Sequence, residues 1–104
     1  MAVIITTRAS DNTVSTKAIS MWNSTFFSFL NENRIADLEE VSHEEHELEE
    51  GGSISQTVYE CDFAGFQQAV NDNQDDDIAI AEMRDLVEHG AATGASRLVI
   101  TAHS

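Results

Sequence analysis

Residues 37–60 read DLEEVSHEEHELEEGGSISQTVYE, and the fold depends on how this stretch is interpreted. Gly51-Gly52 stands where a two-residue hairpin turn would stand, and the residues that follow, 54–60, are strand-like in composition. Residues 37–50 also approach a helical period and are rich in glutamate, which favours helices. A hairpin is the preferred prediction, and a helix over 37–50 is the alternative.

The predicted turn fixes the register of the hairpin, and the register decides which side chains share a face. Around Gly51-Gly52, one face carries Leu48, His46 and Ser42. Tyr59 and Cys61 are then expected across from them on the same face. A strand sorts the acids of this stretch into two rows, whereas a helix would spread them around its surface.

Strand and helix patterns lie on both sides of the hairpin. The β-branched runs 2–8 and 97–102 predict the first and last strands. Between the first strand and the hairpin, residues 13–33 place apolar side chains at steps of three, four and seven, which predicts a long helix. After the hairpin, helices are predicted over 63–71 and 76–89.

Two residues mark the ends of these later helices. Asp62 is a suitable N-cap for the first, and Gly90 is a suitable stop for the second. The resulting order is strand, helix, two strands, a helix broken in two, and a strand. This order predicts an α+β fold, a ferredoxin-like βαββαβ sandwich in one domain over 1–104, with the two most apolar strands paired at its centre.

Charge is the strongest signal in the composition. Nineteen acidic residues face five lysines and arginines, for a net charge of −14. Such a chain repels nucleic acid and anionic membranes and attracts basic surfaces. We therefore do not expect the chain to bind nucleic acid directly, because such binding needs lysine and arginine to neutralise the phosphates.

Most of the predicted partner-binding residues lie in the hairpin stretch. We call them the acidic strip: Glu39, Glu40, Glu44, Glu45, Glu47, Glu49 and Glu50. On a strand, residues on one face lie about 7 Å apart, close to the phosphate spacing along one nucleic-acid strand. The strip therefore predicts a surface that imitates a nucleic-acid backbone, with a solvated edge that prevents aggregation as the alternative.

A second acidic cluster lies at the N-terminus of the last predicted helix and consists of Asp75, Asp76 and Asp77. We rank this cluster second to the acidic strip as a partner-binding surface. Acids at a helix N-terminus also stabilise the helix itself. The segment from Asn71 to Glu82 has some features of an EF-hand loop. It lacks the glycine that the sharp turn of that loop requires, so no calcium site is predicted.

The remaining reactive residues predict no enzyme, no cofactor and no metal. His43 and His46 are three residues apart, which does not fit the zinc-protease motif. Cys61 lies between two acids, which disfavour a thiolate. The one catalytic alternative combines Glu60 or Asp62 with Tyr59 and a histidine.

Two functions are compatible with these observations. The preferred one is a cytoplasmic acidic binding protein that blocks the basic surface of a nucleic-acid-binding protein or complex. In size and charge the chain is similar to phage-encoded inhibitors of the anti-CRISPR and anti-restriction classes. The alternative is a salt-adapted ferredoxin-like module, for example a homodimer paired through its sheet faces, that binds a protein or small ligand. The cytoplasm is expected because there is one cysteine, no signal-peptide pattern and no membrane-spanning stretch.

Overall fold

The computed structural model describes residues 2–35, 37–75 and 77–103. Within them, five strands form one antiparallel sheet and three helices pack against it, so the α+β class is confirmed. The elements, in chain order, are β1 (Ala2–Ala9), β2 (Ile19–Trp22), α1 (Asn23–Glu32), β3 (Glu39–Glu47), β4 (Ser53–Asp62), α2 (Phe63–Asp72), α3 (Ile78–Thr93) and β5 (Ala95–His103). No helix in these ranges is long and apolar enough to cross a membrane.

The finer prediction of a ferredoxin-like order is not confirmed. The sheet order is β2-β1-β5-β4-β3, with the last strand at its centre and every neighbouring pair antiparallel. The first and last strands do pair, as their apolar composition predicted. The helix after the hairpin is divided into α2 and α3, also as predicted.

The additional strand β2 lies inside the stretch that was predicted to be one helix over 13–33. Asn12, at φ 72°, turns the chain back, and the Thr6 hydroxyl donates to the carbonyl of Lys17 at 2.8 Å. Ile19 pairs with Ile5 of β1 and Met21 pairs with Val3, so both side chains lie on the same face of the sheet as those two residues. Over so short a segment an alternating pattern and a helical one share the same apolar positions, so periodicity did not separate them.

The core lies between the helices and one face of the sheet. It contains Val3 and Ile5 of β1, Leu98 and Ile100 of β5, and the helix residue Phe66, all at 0% exposure. The rings of Phe26 and Phe29 lie about 6 Å from that of Phe66, at 6.1 and 6.0 Å between centroids. The opposite sheet face, which we call the uncovered face, carries side chains that are exposed or half-buried, with the exception of Glu60.

The hairpin of β3 and β4 is confirmed, but the predicted face assignment of its residues is wrong. Glu47 pairs with Ser53, so the loop spans five residues, 48–52, in place of the predicted two. The register differs by three residues from that around a two-residue turn, and an odd shift exchanges the faces. Ser42 and His46 therefore lie on the uncovered face, whereas Tyr59 and Cys61 lie on the helix side.

The predicted N-cap of α2 is confirmed, whereas the predicted end of α3 is wrong. The Asp62 carboxylate accepts from the Gly65 N–H at 3.0 Å and so caps α2. Gly90 does not end α3, which continues to Thr93 and ends at Gly94 in the left-handed conformation, φ 73°. Gly90 lies where the Phe63 ring approaches the helix: a Cβ there would be 2.6 Å from Phe63 Cζ.

Candidate functional site

The acidic strip lies on β3, which is an edge strand of the sheet and whose nine residues are all exposed. Glu49 and Glu50 follow in the loop. The loop closes through two backbone hydrogen bonds between Leu48 and Gly52 and between Gly51 and Leu48, each 3.1 Å long. Gly51 and Gly52 have φ of 89° and 90°, which only glycine adopts readily. The glycines therefore hold a loop that projects the two acids beyond the sheet.

A β-bulge sorts the acids of β3 into two rows. Glu40 pairs with Tyr59 and Ser42 with Val58, so Val41 is the extra residue. As a result Glu40, Glu45 and Glu47 lie on the helix side of the hairpin. On the uncovered face lie Glu39 and Glu44, with Ser42 and His46. Strict alternation would have put Glu39 in the row of Glu45 and Glu47, so the bulge changes the composition of both rows.

The histidines of β3 contact the acids beside them. His43 Nδ1 is 2.7 Å from Thr57 Oγ1, and its Nε2 is 3.4 Å from Glu45 Oε1. His46 Nε2 is 3.5 Å from Glu44 Oε2 on the other face. The side chains of both glutamates stay about two-thirds exposed, at 70% and 65%. These contacts hold the imidazoles within the strip while its carboxylates remain open to solvent.

The beginning of the strip has a different environment from the rest. Arg97 of β5 donates to Asp37 Oδ2 at 2.7 Å and to Glu39 Oε1 at 3.2 Å. A backbone N–H from Asp62, 2.8 Å from Asp37 Oδ1, and the Arg97 guanidinium hold the pKa of Asp37 below its ordinary value. The same pairing raises the pKa of Arg97. Glu39 is thus held in an ion pair and differs from the other predicted partner-binding glutamates.

Arg8 completes this ion-pair network. It donates to the Glu60 carboxylate at 2.7 and 2.5 Å, and Arg97 Nε lies 3.5 Å from the same group. In the described ranges, arginine ion pairs reach Asp37, Glu39 and Glu60 and none of the acids in 40–50. The sequence analysis missed the network. Its signal was that Arg8 and Arg97 occupy corresponding positions in the two strands that were predicted to pair.

The second predicted cluster lies at the other edge of the sheet. Asp77 caps α3 by accepting from the Ala79 N–H at 2.8 Å, and it lines a groove beside Trp22 of the edge strand β2. The carbonyl of Asp75 accepts from Arg84 at 3.0 Å. Asp76 lies outside the described residues. Four strand spacings, about 19 Å, separate β2 from β3, so the structure does not bring the two clusters into one surface.

The structure separates two of the groups that the sequence analysis combined as a catalytic alternative. Tyr59 lies on the helix side, with its ring 5.5 Å from that of Phe27, whereas Glu60 lies on the uncovered face. Burial, the largest cause, raises the pKa of the Cys61 thiol to about 12. Across 2–35, 37–75 and 77–103, no three His, Cys, Asp or Glu side chains form a group that could hold a metal ion.

The arrangement is therefore a projecting anionic hairpin on a sheet whose arginines are already engaged elsewhere. A field of this sign attracts cationic surfaces and repels anionic ones. No protein-family model matches the chain, and no curated protein or solved structure matches it in the same comparisons.

Proposed function

We propose that the chain is a non-enzymatic acidic binding protein whose hairpin occupies the basic, nucleic-acid-binding surface of a protein or complex. Its size and charge are those of phage-type inhibitors of the anti-CRISPR or anti-restriction class, and such a role belongs in the cytoplasm. One observation carries the proposal: the acids from Glu40 to Glu47 are exposed and outside the arginine ion pairs of the described ranges.

The spacing of the acids supports mimicry of a nucleic-acid backbone. Glu45 and Glu47 are alternate residues on one face of β3, and alternate residues lie about 7 Å apart. Glu40 continues this row beyond His43. A basic groove that spaces its lysines and arginines for successive phosphates therefore meets carboxylates at a similar interval.

The distribution of charge supports fast and selective association. The chain carries a net charge of −14, and this field steers cationic surfaces toward it while repelling nucleic acid. Exposed charges are screened over about 10 Å at 0.1 M salt. We therefore expect rapid association at low ionic strength that weakens steeply as salt is added.

The test is affinity capture from a bacterial lysate at low and high salt, with three forms of the protein as bait. One bait is the wild type. The second carries Glu44→Gln, Glu45→Gln and Glu47→Gln in the hairpin. The third carries Glu82→Gln, Asp85→Asn and Glu88→Gln on α3, so it loses the same charge at a different place.

The proposal expects a nucleic-acid-binding protein that the wild type and the α3 variant retain at low salt and release at high salt. The hairpin variant should retain at least about tenfold less of it, because a few charge-assisted contacts of about 0.5–1 kcal/mol each are removed. The isolated target should then release its own nucleic acid when the wild type is added. Equal retention by the hairpin variant would rule out the hairpin as the binding surface.

A further inference from the structure

The uncovered face of the sheet carries five apolar side chains, which we call the apolar strip. It consists of Trp22 on β2, Ile4 on β1, Val99 on β5, and Val58 and Ile54 on β4. Their exposures are 67% for Trp22, 43% for Ile4 and 42% for Ile54, and the two valines are half-buried. Polar side chains lie between some of them: Thr101 between Ile4 and Val58, and Gln56 between Val58 and Ile54. Apolar surface that crosses four adjacent strands is a common feature of protein interaction sites.

The register brings the members of the strip together. Thr101 of β5 lies between Ile4 of β1 and Val58 of β4 in one cross-strand row. Val99 is the next residue of β5 on this face. Val99 is a diagonal neighbour of both Ile4 and Val58, and diagonal neighbours lie about 7–8 Å apart, so one apolar ligand can touch all three.

Charge borders the strip unequally. On the β3 side, Glu44 and His46 lie on the same face, opposite Gln56 and Ile54. At the end of the strip near Val99, Arg8 and Arg97 are already bound to acids of the ion-pair network. A ligand that complements this face is therefore apolar along its centre and positively charged on the flank that approaches β3.

The dimensions fit one helix. Three strand spacings from β2 to β4 give a width of about 15 Å, and a helix with its side chains is about 10–12 Å across. The eight residues of β1 span about 26 Å, the length of about 17 helical residues. The opposite face of the same sheet already packs against helices in this way.

We propose that the uncovered face binds an amphipathic helix of the basic partner, with the apolar side of the helix on the apolar strip and its lysines or arginines toward β3. The inference rests on the proposed function and adds a second contact beside the hairpin. Charge favours this occupant over a second copy of the chain, since a copy would bring another net charge of −14 against the face.

The chain contains its own reporter for this site, because Trp22 is its one tryptophan and lies in the apolar strip. The probe is a tryptophan-free peptide of 18 residues with leucines on one helical face and lysines on one flank. A matched peptide has glutamates in place of the lysines. Binding is followed by the wavelength and intensity of Trp22 fluorescence in the intact protein.

The matched variants are Ile4→Thr with Val99→Thr, which remove apolar surface while keeping β-branched side chains. Val14→Thr is the control, because Val14 is 56% exposed and lines a groove with His89 and Thr93 of α3. Circular dichroism and thermal unfolding establish that each variant is folded before it is titrated.

The proposal expects the lysine peptide to shift Trp22 emission to the blue with saturation, and the glutamate peptide to bind at least about tenfold more weakly. The Ile4→Thr/Val99→Thr variant should lose about tenfold in affinity for the lysine peptide, and the control should lose none. Unchanged Trp22 emission, or equal binding by the double variant, would overturn it. So would a wild-type dimer that the double variant converts to a monomer.

These outcomes are separable from failure of the proposed function. The hairpin glutamates decide the capture experiment, whereas Ile4 and Val99 decide the peptide titration. Hairpin-dependent capture without peptide binding would leave the electrostatic proposal standing and remove the helix site.

Discussion

Arg8 and Arg97 lie directly opposite each other on the uncovered face, as a cross-strand pair between β1 and β5. Like charges at such a position repel each other. The Glu60 carboxylate, on a residue that is only 7% exposed, accepts from Arg8 at 2.7 Å and lies 3.5 Å from Arg97 Nε. One nearly buried acid therefore holds together three central strands of the sheet.

Glu60→Gln should destabilise the protein because it leaves the two arginines facing each other without the charge between them. Arg8 keeps 30% of its side chain exposed, so water screens part of the loss. We expect the free energy of unfolding to fall by about 2–4 kcal/mol, near the lower part of the range for broken buried pairs. Urea unfolding followed by circular dichroism measures the change.

The control for this variant is Glu88→Gln, which removes an equal charge from an exposed position on α3. It should change the free energy of unfolding by less than about 0.5 kcal/mol. If Glu60→Gln costs no more than the control, the network does not contribute to the stability of the sheet.

Asp37 gives the same network a pH dependence. Its pKa in the folded protein is below the ordinary value of 3.8, so the unfolded chain takes up a proton first as the pH falls. Its contribution to stability is complete above about pH 5 and is lost as the pH falls through the folded-state pKa. Asp37→Asn should therefore cost about 0.5–1 kcal/mol at pH 7, because the side chain is 46% exposed, and progressively less below pH 4.

The measurement is urea unfolding of wild type and Asp37→Asn between pH 2.5 and 7. Asp85→Asn, on the exposed side of α3, is the control for the loss of one negative charge. A difference between wild type and Asp37→Asn that stays constant down to pH 2.5 would contradict the role of this carboxylate.

The sequence predicted the elements of the fold better than their arrangement. Runs such as Arg97 to Ala102 identify strands because their composition is local, and Asp62 identifies a cap for the same reason. The strand β2 was missed because Ile19 and Met21 satisfy two periodicities at once. Its pairing with β1 depends on the turn at Asn12. Asp11-Asn12 indicated a turn or a helix cap, and nothing local showed that a strand rather than a helix would follow.

The candidate site shows the same limit. The exposure of the acids followed directly from their density, since so many carboxylates cannot be buried together. Their division into rows depended on a bulge at Val41 and on a five-residue loop. The pairing of Glu39 with Arg97 joins residues 58 positions apart, and only the folded sheet brings them together.

Gly90 should be required for close packing between α3 and α2. A Cβ at this position would lie 2.6 and 2.7 Å from two atoms of the Phe63 ring, and this ring is buried. Gly90→Ala gains up to about 1 kcal/mol in helix propensity, but the steric cost of overpacking is about 1–3 kcal/mol. We therefore expect the free energy of unfolding, measured in urea, to fall by up to about 2 kcal/mol.

Gly65→Ala is the matched control for Gly90, because Gly65 is also helical and its nearest atoms would be 3.8 and 4.0 Å from the new Cβ. It should be neutral or slightly stabilising, since nothing must move and the helix propensity improves. An equal effect of the two alanines would mean that the Phe63 ring moves aside without cost.

Salt should stabilise the protein without being required for its folding. Glu45 and Glu47 lie about 7 Å apart on one face of β3, and salt at 0.5 M screens repulsion over that distance. Relief of about 1 kcal/mol would raise the melting temperature by about 4–8 °C between 20 mM and 0.5 M NaCl. Glu45→Gln/Glu47→Gln should reduce this rise more than Asp85→Asn/Glu88→Gln, which removes the same charge from α3.

A wild-type chain that unfolds below about 1 M salt would instead indicate a salt-adapted protein, because only strong screening would then offset its net charge of −14.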